Sequence, residues 1–359
     1  MNLLILLIGG NNIANYALID FLKKNKEYPF DKVVLVYTSQ SKESVSNIKF
    51  LQRDVKFIDI NLENNGRNLN FVKEKIKEEL NLLNPKFIHL NYTGGTKPMS
   101  LGAYLAVSDI NCKKIFSDIS PDSSTLTFAS GEIYPKNGSI AEGVELNIEN
   151  LYKLHNITLK SLQKEVSHFY SYEIVQYLYE KSINAENYKK FWKFWDKGKG
   201  KLEDVIIDFP VQFDFEGINF EEFRQFIRGR WLEEYVFNSL KDENFTDIAW
   251  NVEGSIKGRD FELDLVITKG YQTYIISCTT EEEKLFTVKQ KAFEASMRAE
   301  QIGGIRAKPI SVSLLNKDKL EELQKDVLSY VGKSKFSFIG REDLINPEIL
   351  KEKLKAIFR

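Results

Sequence analysis

The chain has 359 residues, of which 43% are hydrophobic and 13% aromatic, so it is long enough for two ordinary domains with buried cores. Its 50 basic and 51 acidic side chains give a net charge of −1, which excludes a globally basic nucleic-acid coat but allows a local basic groove. The two cysteines lie far apart in sequence, which excludes a disulfide framework and a cysteine zinc site and favours a cytoplasmic location. The opening run MNLLILLIGG is too short to cross a bilayer and lacks the basic start of a signal peptide, so we expect a first core strand and no membrane association.

Residues 1–145 alternate between apolar runs and amphipathic helical patterns. Helical patterns such as YALIDFLKKN and NFVKEKIKEELNLL separate the runs. Continuous apolar strands that alternate with helices are typical of a parallel sheet covered on both faces, so this part predicts a Rossmann-like α/β domain. The predicted strands are NLLILLIG, KVVLVYT, VKFIDIN, KFIHLNYT and KKIFSDI.

Small and polar residues follow several of these predicted strands. Gly10 and Asn11 come after the first run, and Ser39 and Gln40 come after the second. In a doubly wound sheet, ligands bind beyond the carboxyl ends of the strands. We therefore expect a ligand pocket at this edge of the sheet.

The fourth run continues into YTGGTKPMS, which separates a predicted strand from a predicted helix. Its glycines let the backbone approach a ligand closely, and the N-terminus of the next helix favours an anion. Thr93 and Thr96 can donate hydroxyls and Lys97 can offer a point charge to a phosphate, although the order of residues is not that of a Walker loop. A plain turn is the alternative, but the neighbouring polar loops favour a phosphate pocket. Its predicted lining is Thr93, Gly94, Gly95, Thr96 and Lys97, with Gly10, Asn11, Ser39 and Gln40 as further candidates.

Two further segments follow. Residues 146–223 predict a helical connector, with a glycine-broken loop near residues 196–202. Residues 224–359 predict a second α/β unit. Its elements are the helix FRQFIRGRWLEEYVFNSL, the strand-like runs RDFELDLVIT and YQTYIISCTT, the helix FTVKQKAFEASMRAEQIGG and the strand KPISVSLL.

The run RDFELDLVIT carries alternating carboxylates. Alternation puts Asp260, Glu262 and Asp264 on one face and the apolar side chains from Phe261 to Ile267 on the other. A two-residue turn at KG predicts that Glu262 faces Ser277 and that Asp264 also lies close to Ser277. Crowded carboxylates repel one another, which is tolerated at a solvated surface or when a divalent cation bridges them.

The flanking helices offer further charged groups. Glu233 and Glu234 are adjacent and point about 100° apart on their helix, so only one can face the carboxylates, and we choose Glu233. On the later helix, small residues form one face that permits close packing on the sheet. Lys289 and Lys291 flank that face on opposite sides, and we favour Lys291. Either lysine has an alternative interpretation as a surface residue.

The unit formed by a strand, YTGGTKPMS and a helix resembles the signature of CARF domains, the sensor modules of type III CRISPR systems, and the likeness covers roughly residues 1–145. The resemblance implies a cyclic oligoadenylate ligand, with the tetra-adenylate as first choice, held across a homodimer interface by the loop from Thr93 to Lys97. A symmetric ring of phosphates suits a two-fold axis, because each subunit presents the same loops to one half.

The segments GRWLEEYV, ELDLVI and ISC, in this order, resemble the PD-(D/E)xK nuclease core of CARF-linked CRISPR ancillary effectors over about residues 224–315. The resemblance implies a nucleic-acid substrate and a Mg2+ or Mn2+ ion held by Glu233 and Asp264. The expected (D/E)xK triplet is absent, because Ser-Cys-Thr stands at 277–279. Either the nuclease is silent, or Glu262 supplies the second carboxylate and a lysine of the next helix supplies the cation. We favour the second interpretation because of the small-residue face.

These features predict a homodimeric, metal-dependent nuclease of DNA or RNA that a cyclic oligoadenylate activates. The alternative is a sensor with a silent nuclease-like domain that only binds nucleic acid or a partner, and a third possibility is a sensor that also degrades its own ligand. Arg259, Arg298 and Arg306 are predicted phosphate contacts, and His89 is predicted as a core residue. A HEPN ribonuclease is disfavoured, because the last histidine is His168 and no R-x(4–6)-H motif lies near the C-terminus.

Overall fold

Two β-sheets with helices packed on their faces form the molecule. In the computed structural model of the chain, the described residues are 1–10, 12–25, 27–120, 124–183, 220–331 and 336–358. None of the helices in these ranges is long and apolar enough to cross a membrane.

The first sheet has strand order β3-β2-β1-β4-β5-β6-β7. Its strands are β1 (Asn2–Leu7), β2 (Lys32–Tyr37), β3 (Phe57–Asn61), β4 (Phe87–Asn91), β5 (Lys113–Ile119), β6 (Leu126–Phe128) and β7 (Ile133–Tyr134). Strands β1 to β5 are parallel, and β6 and β7 extend the sheet in antiparallel fashion. The predicted Rossmann-like parallel sheet and all five predicted strands are confirmed.

Helices cover both faces of this sheet because successive strand residues point to opposite sides. The helices are α1 (Ile13–Lys24), α2 (Lys42–Leu51), α3 (Leu69–Leu83) and α4 (Lys97–Asp109). Leu4 and Leu6 pack in one core with residues of α1 and α2. Leu3 and Ile5 pack in the opposite core with residues of α3 and α4. Burial on both sides explains why β1 is a continuous apolar run.

The second sheet has strand order β13-β12-β11-β10-β9-β8. Its strands are β8 (Thr158–Gln163), β9 (Asp247–Ile256), β10 (Arg259–Lys269), β11 (Gln272–Thr279), β12 (Lys308–Ser313) and β13 (Ser337–Ile339). The associated helices are α5 (Ile148–Leu154), α6 (Tyr172–Ser182), α7 (Phe220–Gln225), α8 (Trp231–Leu240), α9 (Leu285–Gly303), α10 (Lys317–Val331) and α11 (Pro347–Ile357). Strands β8 to β11 pair antiparallel, and β11 to β13 pair parallel.

The prediction of a wholly helical connector over residues 146–223 is wrong. Helix α5 ends before Asn156, whose φ of 56° turns the chain, and β8 follows it. Strand β8 then pairs antiparallel with β9, so this segment belongs to the second sheet. Pairing with a distant strand overrides the helical pattern because β-structure depends on context. The predicted loop near residues 196–202 lies outside the described residues.

The predicted long helix before the carboxylate strand is also interrupted. A kink separates α7 from α8: within Phe226–Arg230, Gly229 has a φ of 176° and a ψ of −28°, which are not helical. The kink sets the direction in which α8 presents its first residues to the sheet.

One core continues from the first sheet into the second. Tyr152 of α5, Phe261 of β10 and Ala299 of α9 belong to the same buried cluster as Leu4 and Leu6 of the first sheet. The two α/β units are therefore in direct apolar contact, and displacement of one is resisted by a close-packed interior.

Candidate functional site

The β4–α4 loop is pressed against the end of β1. A Cβ atom on Gly94 would lie 2.0 Å from the carbonyl oxygen of Leu7, and Gly95 has a φ of 75°. Asn15 Nδ2 donates to the same Leu7 oxygen at 3.1 Å. Both glycines are therefore required by the backbone, because no side chain fits at the first and the second is in the left-handed region.

The two threonines of this loop do different things. Thr96 caps α4, because its hydroxyl accepts from Met99 N at 3.4 Å and donates to Gly66 O at 2.9 Å. Thr93 Oγ1 accepts from Ile119 N at 2.8 Å, which leaves the hydroxyl proton of Thr93 available to a ligand. The start of the helix uses the hydroxyl of Thr96, which is not among the residues that line the adjacent cavity, so its part in ligand binding stays a prediction.

A cavity of about 520 Å³ opens beside this loop. It is lined by Tyr92, Thr93, Gly94, Gly95, Lys97, Ser100, Leu101, Tyr104 and Ala129. Lys97 is exposed, and among the described residues it has no ion-pair partner. Leu101 and Tyr104 are 51% and 43% exposed, one helical turn apart on α4. Their exposure on an otherwise well-packed helix is a signal that sequence reasoning did not use.

The further candidates at other strand ends lie outside the cavity lining. Gly10 is exposed, with no atom within 4 Å of the position that a Cβ would occupy, although a Cβ on its neighbour Gly9 would contact the backbone of Gly95. Ser39 and Gln40 are exposed after β2, and β1 lies between β2 and β4 in the sheet. Gly10, Ser39 and Gln40 are thus not among the residues that line this cavity, and their part in ligand binding stays a prediction. Asn11 lies outside the described residues.

In the second unit, Asp264 lies where β10 and β11 separate. The ladder runs from Lys269 paired with Gln272 to Leu265 paired with Ile276. Beyond it, Asp264 Oδ2 accepts from Cys278 N at 2.6 Å and from Ser277 Oγ at 3.3 Å. The Asp264 carboxylate thus accepts the N–H of β11 that a backbone carbonyl of β10 would otherwise accept. This hydrogen bond fixes the carboxylate between the two strands.

The predicted hairpin register is wrong by two residues. Lys269 pairs with Gln272, so the turn residues are Gly270 and Tyr271 rather than the predicted KG pair. A shift of two residues keeps each side chain on its face, so the predicted closeness of Asp264 to Ser277 survives.

Strand β10 changes its buried side at Asp264. Phe261 and Leu263 pack in the core that includes Tyr152, whereas Leu265 and Ile267 pack in the core that includes Tyr235 of α8. The single apolar face predicted for this strand is therefore wrong. The neighbouring strand β9 is irregular at the same level, since a residue there, Asn251, has a φ of 47°.

Glu233 of α8 shares this region with two strand carboxylates. Burial raises the pKa of Glu233 well above its usual range, and the negative charges of Asp264 and Glu262 raise it further, while Lys291 and Arg230 lower it. Burial also raises the pKa of Asp264, and the charge of Lys291 opposes that shift. The charges of Asp264 and Glu262 act on Glu233, so the three acidic groups lie within electrostatic range of one another.

Sequence reasoning missed two acidic neighbours of the cluster. Burial raises the pKa of Glu262, as do the charges of Asp264 and Glu253. Glu253 lies directly opposite Glu262 on β9. Glu294 of α9 raises the pKa of Asp264. Strand β9 was not predicted, so its contribution could not be foreseen.

Glu234 has a structural role. It is buried, and its Oε2 accepts from Ser167 N at 2.7 Å and from Ser167 Oγ at 2.9 Å. Glu234 therefore faces neither solvent nor the strand carboxylates. Two donors from one serine tie α8 to the segment that follows β8, which holds the adjacent Glu233 in place.

The structure separates the two candidate lysines. Lys291 Nζ donates to Cys278 O at 3.2 Å, and its charge lowers the pKa of both Glu233 and Asp264. Lys289 forms an ion pair with Asp326 of α10. Lys289, the second candidate, is therefore directed towards α10, which packs against α9, and the catalytic part of Lys291 stays a prediction.

The predicted phosphate contacts are not at the carboxylates. Arg298 lies over the Phe261 ring at 4.7 Å, Arg259 begins β10 at an exposed turn, and Arg306 donates to Ser120 O of the first unit at 2.8 Å. Arg230, which sequence reasoning missed, lowers the pKa of Glu233 and Glu262 and lies over the Trp250 ring at 5.8 Å.

The carboxylates suit a divalent cation chemically, since oxygen donors are what Mg2+ and Mn2+ prefer. Burial is the first cause of the raised pKa of each of these carboxyl groups, and repulsion from neighbouring acidic side chains raises it further, against the opposing charge of Lys291. A cation there would relieve that repulsion. Within the described ranges, no three His, Cys, Asp or Glu side chains are gathered closely enough to form a complete ligand set.

Two family models match the chain. Residues 3–132 match the Card1 CARF domain, and residues 220–348 match the Card1-like endonuclease domain. Together the two matches span more than two thirds of the chain. Among proteins with curated functions, none matches it in sequence.

Solved structures include several similar folds. Can2 from Sulfobacillus thermosulfidooxidans, in complex with cyclic tetra-adenylate, is 18% identical, with a TM-score of 0.71 and coverage of 99% of this chain and 99% of that one. Protein VC1899 from Vibrio cholerae is 18% identical, with a TM-score of 0.67 and coverage of 99% and 98%. A type III CRISPR defence DNA nuclease activated by cyclic oligoadenylate is 16% identical, with a TM-score of 0.50 and coverage of 88% and 46%. At such identities these likenesses establish a shared fold.

Proposed function

This chain belongs to the Card1-like family, which combines a CARF domain with an endonuclease domain, and from that membership we propose a nuclease of type III CRISPR defence that a cyclic oligoadenylate activates. The single observation that supports catalysis best is the cluster of Glu233, Asp264 and Glu262 beside Lys291. The two cysteines of the chain, Cys112 and Cys278, form no disulfide, which suits the reducing cytoplasm, where we place this activity.

We place the activator in the cavity beside the β4–α4 loop. The available hydroxyl proton of Thr93 and the unpaired charge of Lys97 suit phosphate oxygens. The similar Can2 structure holds cyclic tetra-adenylate, which makes that ring our first choice. The exposed Leu101 and Tyr104 flank the cavity, so a homodimer that covers them would enclose the ring between two copies.

For the chemistry, we propose hydrolysis of a nucleic-acid phosphodiester with Mg2+ or Mn2+ held by Glu233, Asp264 and Glu262. A bound metal supplies an acidified water and neutralises charge on the phosphate. The protein itself holds Asp264 through Cys278 N, holds Glu233 through its helix, and keeps Lys291 beside both. Lys291 takes the part of the lysine missing at 277–279. Arg230 offers a second positive group to the substrate phosphate.

A silent nuclease-like domain is a second candidate, and two observations favour it. Asp264 already accepts two hydrogen bonds from β11, and the acidic side chains in the described residues do not form a closed ligand set. Such a protein would bind nucleic acid or a partner without cleaving it.

The deciding experiment measures cleavage of single- and double-stranded DNA and RNA with Mn2+ or Mg2+, with and without cyclic tetra- or hexa-adenylate. We expect ligand-dependent cleavage that the variant Asp264→Ala abolishes. Asp260→Ala is the matched control, because Asp260 is an exposed residue of the same strand that pairs with Lys160 at 2.5 Å. Absence of cleavage in every combination supports the silent domain, and full activity of Asp264→Ala overturns the site.

A further inference from the structure

The turn of the β10–β11 hairpin is seated in the sensor unit. A Cβ atom on Gly270 would lie 2.1 Å from the carbonyl oxygen of Ala141, and Leu146 N donates to Gly270 O at 3.3 Å. Tyr271 is 2% exposed and belongs to the same core as Leu126 of β6. The tip of the hairpin is therefore surrounded by residues that follow the first sheet.

Arg306 ties this turn to the end of β5. It lies just after α9, and its guanidinium donates to the hydroxyl of Tyr271 and, through Nη2, to Ser120 O at 2.8 Å. The carbonyl oxygen of Arg306 accepts from Gln272 Nε2 at the start of β11. A planar guanidinium can hold two acceptors in fixed directions, which a single ammonium cannot do as well.

Ser120 is one residue away from a contact of the ligand loop. Ile119 N donates to Thr93 Oγ1 at 2.8 Å, and Tyr92 N donates to Ser117 O at 3.0 Å. Thr93 lines the cavity. A ligand that moves Thr93 therefore acts directly on the end of β5, from which Arg306 reaches the hairpin.

The hairpin leads on to the carboxylate site. Its paired residues run without a break from Lys269 and Gln272 to Leu265 and Ile276. The next residue on β10 is Asp264, which is bonded to Cys278 N. A hydrogen-bonded ladder is stiff, so displacement at the turn reaches both strands that shape the site.

We infer that Arg306 is a positioning residue that couples the cyclic-oligoadenylate cavity to the nuclease carboxylates within one chain. The inference rests on the proposed function. Its route runs from Thr93 through Ile119 and Ser120 to Arg306, and from there through Tyr271 along the hairpin. Energetic coupling, rather than spatial continuity, is the property that has to be measured.

The test compares Arg306→Met with Arg298→Met in the full-length protein. Arg298 lies on α9 itself, and it packs over the Phe261 ring and donates to Gln301 rather than to the sensor unit. Three quantities are measured: nuclease activity without ligand, activity with saturating cyclic tetra-adenylate, and the Kd of a fluorescent cyclic tetra-adenylate. Since coupling is reciprocal, the Kd is measured with and without a phosphorothioate strand that resists cleavage.

We expect Arg306→Met to lower the ratio of activated to basal activity about tenfold, within the usual range of allosteric coupling. Basal activity and the Kd for ligand alone should stay within about twofold, and the strand should no longer tighten ligand binding. Arg306→Lys should recover part of the ratio, because one of the two acceptors remains within reach. Arg298→Met should keep the native ratio.

An unchanged ratio in Arg306→Met overturns the inference, and so does an equal loss of basal and activated rates, which would indicate a structural role alone. If Arg306→Met does not fold, Tyr271→Phe decides the question, because it removes only the hydroxyl that Arg306 contacts. Its expected effect is a loss of about threefold in the same ratio, and no loss counts against the inference. A native protein that ignores the ligand overturns the proposed function, and the inference fails with it.

Discussion

Gly270→Ala is the sharpest test of the junction between the two units. The residue has a φ of 62°, and a methyl group there would lie 2.1 Å from Ala141 O. Gly258 is a matched control, because it has a φ of 77° in the β9–β10 turn and no atom within 4 Å of the same position. Alanine at either site adopts a left-handed conformation, but only alanine at 270 meets the sensor backbone.

The expected magnitudes follow from these two differences. Left-handed backbone costs a non-glycine residue about 1–2 kcal/mol, and the loss of unfolded-state freedom offsets roughly 0.4–1 kcal/mol of it. Gly258→Ala should therefore lower the free energy of unfolding by about 0–1.6 kcal/mol. Gly270→Ala adds an overpacking term of about 1–3 kcal/mol, because a backbone carbonyl cannot rotate away as a side chain can.

The assay is thermal unfolding of both variants and the native protein under identical conditions. A difference of this size lowers Tm by several degrees, since 1 kcal/mol corresponds to about 2–4 °C in domains of 150–250 residues. Gly270→Ala should also lose part of the activation ratio. Equal Tm values for the two variants would refute the close approach of the hairpin turn to Ala141, and with it the described junction.

Three further predictions concern charged groups. Lys291→Ala should lower nuclease activity about 100-fold or more, which is the low end of what a positioned proton-transfer group contributes. Lys289→Ala should keep nuclease activity and lose at most about 1 kcal/mol of folding stability, because it removes only the ion pair with Asp326. Initial rates and the Tm of both variants check these expectations. The pKa of Glu233 is raised in the folded state, so its contribution to stability is present below pH 4.5, the pKa of an unperturbed glutamate. That contribution is lost as the pH rises through the folded-state pKa. Glu233→Gln should therefore raise the Tm at pH 7 in the presence of a chelator. Added Mn2+ should stabilise the native protein more than the variant. A lower Tm for the variant in chelator would contradict the crowding of carboxylates around Glu233. Burial lowers the pKa of His89 from 6.5 to about 4, so its contribution is present above pH 6.5 and is lost as pH falls toward 4. Unfolding measured between pH 4 and 7 should show weaker acid destabilisation in His89→Gln, and identical pH profiles would count against this assignment.

The missing (D/E)xK triplet has a structural explanation in this chain. The backbone N–H of Cys278 and the hydroxyl of Ser277 donate to Asp264, so this part of β11 positions a ligand instead of supplying one. Lys291 approaches from α9 and reaches the carbonyl oxygen of Cys278. The backbone of Cys278 therefore contacts both charged groups: its N–H donates to the carboxylate of Asp264, and its carbonyl oxygen accepts from the ammonium group of Lys291.

Local pattern is sufficient for much of the fold. Five apolar runs separated by amphipathic helices predict the parallel sheet, since burial on both faces leaves no other pattern for such strands. The glycine-rich loop stands out in the sequence because glycine is the only residue that permits the close approach to β1. Glu233 and Asp264 can be chosen together because GRWLEEYV and ELDLVI resemble segments of the PD-(D/E)xK nuclease core.

The tertiary structure decides what depends on distant partners. Helical angle leaves Lys289 and Lys291 equivalent, and the packing of α10 against α9 determines which of them pairs with Asp326 and which faces the carboxylates. The hairpin turns at Gly270 and Tyr271 because the turn must fit against Ala141, a residue far away in sequence. The prediction that Arg306 contacts a phosphate fails for the same reason: its acceptor, Ser120 O, lies 186 residues away. The local periodicity of the sequence determines which face of a helix or strand is buried. Which residues cover that face is decided only in the folded chain, because they come from distant parts of the sequence.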